Sequence, residues 1–211
     1  MDNDYQFVSR WRIEGTCGEI ADILDDPLGL VRWWPSVYLD VKEIEPAREP
    51  SGVGRRVRLL TKGWLPYTLR WEFVVTEARY PIGFTIEAGG DLVGTGIWTF
   101  VQDGPAVDVV YDWRIRAEKP LLRRLSALLR PILEANHRWA MSQGEKSLRL
   151  ELARRRASTA ESRAAIPPPP GPVTFTAAAL VAGAVAVGTT LAVLMFRVSG
   201  GARCAPNRQR P

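Results

Sequence analysis

Residues able to do chemistry are sparse in this chain of 211 residues, and they are scattered. The single histidine, His137, stands in the stretch EANHRWAM. An imidazole moves protons near neutral pH, but general acid–base work needs a partner placed to orient it. No paired histidine, no Cys/His metal spacing, no phosphate-cradling glycine loop and no nucleophile–base arrangement accompanies it. Neither a metal nor a cofactor is therefore expected. Cys17 and Cys204 read as free thiols of a reducing compartment, since two distant cysteines cannot staple one small domain. The eight tryptophans are the denser signal. Trp71 alternates with Tyr67, Leu69 and Phe73, and Trp113 with Tyr111, which puts these rings on inward strand faces. Trp33 and Trp34 close a short helical stretch that would border a cavity mouth. Arg55 shares parity with Val57 and Leu59 and reads as an inward base. Trp33, Trp34, Arg55, Trp71, Tyr111, Trp113 and His137 are thus the candidate ligand-binding residues: aromatic walls with few polar groups suit a flat or elongated apolar molecule. The bland alternative is that the rings only pack a core and His137 is structural.

The elements that would position these residues can be read from hydrophobic period. YQFVSRWRIEG alternates Phe7, Ser9, Trp11 and Ile13 against Val8, Arg10 and Arg12, as a half-buried strand does. Thr16 with Glu19 forms a capping box that opens a short helix, EIADILDD. A second short helix, PLGLVRWW, starts with proline in its first turn and ends before Pro35. Six strand-like runs follow: SVYLDVKEI, GRRVRLLTKG, YTLRWEFVVTEA, GFTIEAGG, GTGIWTFVQDG and VDVVYDWRIRA. ARYPIG, GGDLVG and QDGPA supply the turns between strands. After Pro120 the period becomes helical, with Leu121, Leu122, Leu125, Leu128, Leu129, Ile132 and Leu133 on one face. That predicts one long amphipathic helix through Arg156, bent at Pro131 and interrupted near Gly144. A curved seven-stranded antiparallel sheet must cover its apolar face, and this helix is the cover available. A cylinder does not fill a trough, so a pocket is expected beside it.

Charge and hydropathy divide the chain further. Residues 1–118 carry 13 bases against 19 acids, net −6, while 119–156 carry 10 bases against 3 acids, net +7. All 23 acids and 24 of the 28 bases lie before residue 172, so that region is only +1 and nucleic acid is not the expected partner. Val173 to Phe196 is an uncharged run that would span roughly 36 Å as a helix, more than the ~30 Å of a hydrocarbon core. The expected organisation is a ligand-binding domain over 1–156, a Pro/Ala-rich linker over 157–172, a single transmembrane helix over 173–197 and a basic tail over 198–211. Ala179 with Gly183 and Ala184 with Gly188 have the spacing that lets two such helices pack as a homodimer. The acidic, polar N-terminus has no signal-peptide pattern, which favours a cytoplasmic soluble domain with a C-terminal single-pass anchor.

The element order, together with VRWWPSVYLDV, KGWLPYTLRWEF, GTGIWTF and YDWRIRA, resembles the START-like or SRPBCC superfamily, also called Bet v 1-like. Its polyketide cyclase/dehydrase and lipid-transport branch looks nearest over residues 5–156. The resemblance implies an α+β helix-grip fold whose cavity binds a lipid, polyketide, quinone or similar hydrophobic molecule. Since no catalytic set is assembled in the sequence, membrane-anchored binding or transport is the leading expectation. A cyclase/dehydrase using Arg55, Tyr111 and His137 is the alternative, and a membrane recruitment scaffold a third.

Overall fold

A computed structural model describes residues 4–117 and 126–174, and one compact unit extends to Val173. Strands β1 (Asp4–Glu14), β2 (Tyr38–Glu45), β3 (Arg56–Lys62), β4 (Thr68–Ala78), β5 (Gly83–Gly90), β6 (Leu92–Asp103) and β7 (Ala106–Ala117) make a single sheet. Its order is β1-β7-β6-β5-β4-β3-β2, every pair antiparallel. All seven strands coincide with the runs expected from period two. The tight β6–β7 hairpin turns at Gly104, whose φ of +56° is a left-handed conformation that glycine takes without steric cost. Register shifts between Tyr38 and Asp40 and between Val75 and Glu77 interrupt the ladders of β2 and β4, and such irregularities bend a strand and curve its sheet.

The expected short helices are present as α1 (Cys17–Leu24) and, after a 3₁₀ turn over Pro27–Gly29, α2 (Leu30–Trp33). The α1 capping box forms as read: Glu19 N–H donates to Thr16 Oγ1 at 3.3 Å and Thr16 N–H donates to Glu19 Oε2 at 2.9 Å. The same carboxylate takes two 2.7 Å bonds from Arg156 at the far end of the long helix. Those bonds, reinforced by Thr16 and opposed by partial burial, hold the Glu19 carboxyl down at about 2. The long helix, α3 (Ser126–Arg156), runs unbroken through both Pro131 and Gly144. Gly144 is not an interruption. A Cβ there would fall 2.2 Å from Trp34 Cζ2, so glycine is what lets the indole lie against the helix.

The Pro/Ala-rich stretch expected as a linker is folded onto the domain. Thr159 caps a short helix, α4 (Ala160–Ala164), and Ile166–Val173 then runs as a strap. Arg154 donates to the Pro167 carbonyl, and Lys62 Nζ donates to the Val173 carbonyl at 2.7 Å. Among the described residues no helix is long and apolar enough to cross a membrane. The expected transmembrane span beyond Thr174, its dimer contact, the basic tail with Cys204, and Leu121, Leu122 and Leu125 lie outside the described residues. Cys17 is buried and unbonded.

Candidate functional site

The antiparallel register stacks the starts of β1, β4 and β6 beside the ends of β3 and β7, and this end of the trough contains a chamber. Its wall includes Tyr5 and Phe7 of β1, Thr61 of β3, Leu69 and Trp71 of β4, and Tyr111, Trp113 and Ile115 of β7. The helical side is Leu133, Asn136, His137, Ala140 and Met141, one face at i, i+3, i+4, i+7 and i+8. The enclosed space is about 140 Å³, and the recess with its mouth holds about 880 Å³ free of atoms. Asn136 shapes the mouth by accepting from the Leu65 amide at 3.3 Å, which fixes the β3–β4 loop to α3.

The rings form a connected series rather than isolated packing residues. Trp34 meets Trp11 at 5.9 Å, Trp11 meets Trp98 at 5.5 Å, and Trp98 stacks on Tyr111 at 4.1 Å. Tyr111 continues to Trp113 at 5.6 Å and Trp113 to Trp71 at 5.6 Å. These separations suit offset and edge contacts, which add to plain burial. Gly96 makes room for two of these rings, since a Cβ there would come within 2.8 Å of both Tyr111 Oη and Trp113 Cε3. Trp71 is oriented by its indole N–H, which donates to Thr61 Oγ1 at 3.0 Å. Trp34 Nε1 is buried and has no hydrogen-bond partner among the described residues.

The imidazole and the buried phenols of the wall are kept neutral. His137 stacks on Phe7 at 4.4 Å, and its Nε2 lies 3.3 Å from Ser9 Oγ. Burial, with Arg138 adding to it, pushes the imidazole down to about 4. Burial also pushes the Tyr67 phenol up to about 12 and raises Tyr38 and Tyr111. Near neutral pH the chamber therefore presents hydroxyls and a neutral imidazole. Lys62 also reaches the wall, with its ammonium on the strap.

Of the seven residues singled out from sequence, five line this chamber: Trp34, Trp71, Tyr111, Trp113 and His137. Trp33 does not. It is wholly buried in the core against Trp34, at 5.4 Å between rings, because the α2 turn rotates adjacent residues to different sides. Arg55 does not either. It keeps the inward parity of Val57 and Leu59 but stands at the opposite end of the trough, paired with Glu43 at 3.2 Å and donating to the Asp25 carbonyl. There it borders a separate recess of about 50 Å³ beside Leu24 and Phe84. Strand alternation gives the face of a residue and not its height along the strand. Sequence reading missed Asn136, Ala140 and Met141, although helical spacing was the signal that carried them: Asn136 is i+3 from Leu133, and Ala140 and Met141 are i+3 and i+4 from His137. It also left Ser9 without a role, though Ser9 was on the inward parity of β1.

These features define a helix-grip domain with an apolar chamber closed by polar groups. The chain's fold is similar to that of the Zhui aromatase/cyclase from a Streptomyces species, at a TM-score of 0.57 and 16% identity, over 74% of this chain and 97% of that one. Protein TTHA0849 of Thermus thermophilus gives a TM-score of 0.56 at 17% identity, over 72% of this chain and 100% of that one. The di-domain aromatase/cyclase BexL, of the BE-7585A biosynthetic pathway, gives 0.52 at 16%, over 69% of this chain and 50% of that one. No protein-family model and no curated protein matches the chain by sequence. Likeness at such identities is one of fold, and fold alone does not fix chemistry.

Proposed function

We propose that the chain binds a hydrophobic small molecule, of lipid, polyketide or quinone type, in the chamber between the sheet and α3. The observation that carries this reading is the wall itself: apolar and aromatic side chains, among them Phe7, Trp34, Trp71 and Trp113, surround a recess in which Thr61, Asn136, His137 and tyrosine hydroxyls are the polar groups and Lys62 the charged one. Ligand sites are apolar recesses with a small number of placed polar groups. An apolar cavity of about 150 Å³ holds benzene, so the enclosed space takes roughly one ring without rearrangement. A longer molecule extends into the mouth. Fold likeness to proteins named aromatase/cyclases supports an occupant of that chemical kind.

The proposal includes a membrane anchor at Val173–Phe196, with the folded domain on the cytoplasmic side. Its support is the uncharged run in the sequence and the exit of the chain at Val173, whose carbonyl is held by a lysine of the chamber wall. A lipid-dissolved ligand would then reach the chamber with little passage through water.

Mass spectrometry of apolar molecules co-purifying with the detergent-solubilised full chain tests the reading. One apolar ligand class near one per chain is expected. An empty protein that also refuses added hydrophobic probes would overturn it. The anchor is checked separately: the full chain stays with membranes in alkaline carbonate, and a chain ending at Gly171 is released.

A cyclase-type enzyme is the second reading, favoured by His137 in the wall, whose Nε2 lies 3.3 Å from Ser9 Oγ. A neutral imidazole accepts a proton from an acidic methylene of a bound polyketone, the enolate carbon bonds to a second carbonyl carbon of the same molecule, and the imidazolium returns the proton to that carbonyl's oxygen, leaving a hydroxyl on the new ring. Turnover lost in His137→Gln with ligand binding retained is the expected result under that reading. Turnover indifferent to the change would remove it.

A further inference from the structure

A second cleft, sharing no residue with the chamber, lies where the strap folds back over α2 and α3. It measures about 320 Å³ and is lined by the basic residues Arg32, Arg154 and Arg163 and the apolar residues Ala164, Ile166, Pro168 and Pro169. Three elements distant in sequence converge here. Arg32 comes from the last turn of α2, Arg154 from the end of α3 and Arg163 from α4. The prolines hold the apolar wall extended without the ordering cost that a flexible loop would carry.

The three guanidiniums are only partly used. Arg32 donates to Glu151 Oε2 at 2.6 Å, Arg154 to the Pro167 carbonyl and Arg163 to the Ala157 carbonyl at 3.3 Å. Each guanidinium has five N–H donors in a planar fork, so most remain for a ligand. Glu151 is 2% exposed and shared with Arg155 at 3.1 Å. Asp26 is the other carboxylate acting on Arg32. The three guanidiniums that line the cleft thus meet two carboxylates, one of them shared with Arg155, and a positive surplus remains. Three forks around one space, that surplus and apolar lining residues beside them match a phosphate group on an amphipathic molecule. A phosphate monoester offers three terminal oxygens and up to two negative charges, and the diester of a lipid headgroup two oxygens and one charge.

We propose that this cleft is a phosphate-binding site, taking the phosphate of a lipid headgroup or of a soluble phosphate ester. The site is independent of the chamber, so either proposal stands if the other fails.

The test uses the full chain in dodecyl maltoside micelles, titrated with inorganic phosphate and, separately, with micelles doped with phosphatidylglycerol or phosphatidylcholine. Binding is read by phosphorus NMR line broadening. Saturable binding of inorganic phosphate marks a site open to soluble phosphates. Saturable binding of phosphatidylglycerol alone marks a lipid site. In both cases the double change Arg154→Gln with Arg163→Gln weakens binding at least tenfold, while binding of a hydrophobic probe in the chamber is unchanged. The double change to lysine, which keeps the charge, guards against simple loss of the strap and retains part of the binding. No saturable binding in either arm, or glutamine and lysine variants binding like the parent chain, would overturn the proposal.

Discussion

The two halves of α3 face the same sheet, yet one half packs solid and the other borders a chamber. In the C-terminal half, Leu148 and Leu152 are buried against the end of the trough that α1 occupies with Ile20 and Ile23. Toward the N-terminal half, the described positions that border the chamber are Asn136, His137 and Ala140, which are polar or small, with Leu133 only half-buried and Met141 closing the row at mid-helix. The sheet curves past both halves. Whether space remains depends on whether a third element fills the trough, and α1 fills one end only. A helix-grip domain thus separates stability from binding along one helix, with the packed end holding the fold and the loose end free to vary.

Leucine truncation in the two halves should break that comparison first if it is wrong. Leu148→Ala should cost about 2–5 kcal/mol in denaturant unfolding, as a fully buried leucine does, and Leu133→Ala about 1 kcal/mol or less. Equal losses would mean that the open half carries the fold as much as the closed half.

Acid stability sharpens the contrast. His137 has a folded value of about 4 against an ordinary 6.5, so between these values the unfolded chain holds a proton that the folded chain lacks. Stability therefore falls as pH drops from 6.5 toward 4. Asp25, pushed up to about 6 by burial and then by Asp22, acts in the opposite sense as pH drops from 6 to its ordinary 3.8. The His137 contribution is isolated by comparison with His137→Gln: from pH 7.5 to 5 the parent chain should lose about 2 kcal/mol more than the variant. Parallel losses would mean the imidazole is well solvated.

Filling the open half is the next test. Ala140→Phe directs a ring into the chamber, so it should weaken a bound hydrophobic probe at least tenfold and change unfolding stability by less than about 1 kcal/mol. A large destabilisation would show that no space was there. The smallest effect is expected at Ser9→Ala, which removes a 3.3 Å contact to His137 and should cost about 0.5–1 kcal/mol in the same unfolding measurement.

The sequence by itself determined the seven strands, the capped α1 and the run of α3, because period two, period 3.6 and capping chemistry are local. It also identified most of the rings in the chamber wall, since parity assigns a strand residue to a face. Only the tertiary structure decided how far along the trough each residue stands. That moved Arg55 to the far end, because height along the trough depends on the register between strands, and Trp33 into solid core, because the α2 turn sends adjacent residues to different sides. It likewise turned Gly144 from an expected break into the seat of Trp34, and the proline-rich stretch from a linker into the wall of a basic cleft. Close approach and convergence are properties of pairs of distant segments, and no local pattern encodes them.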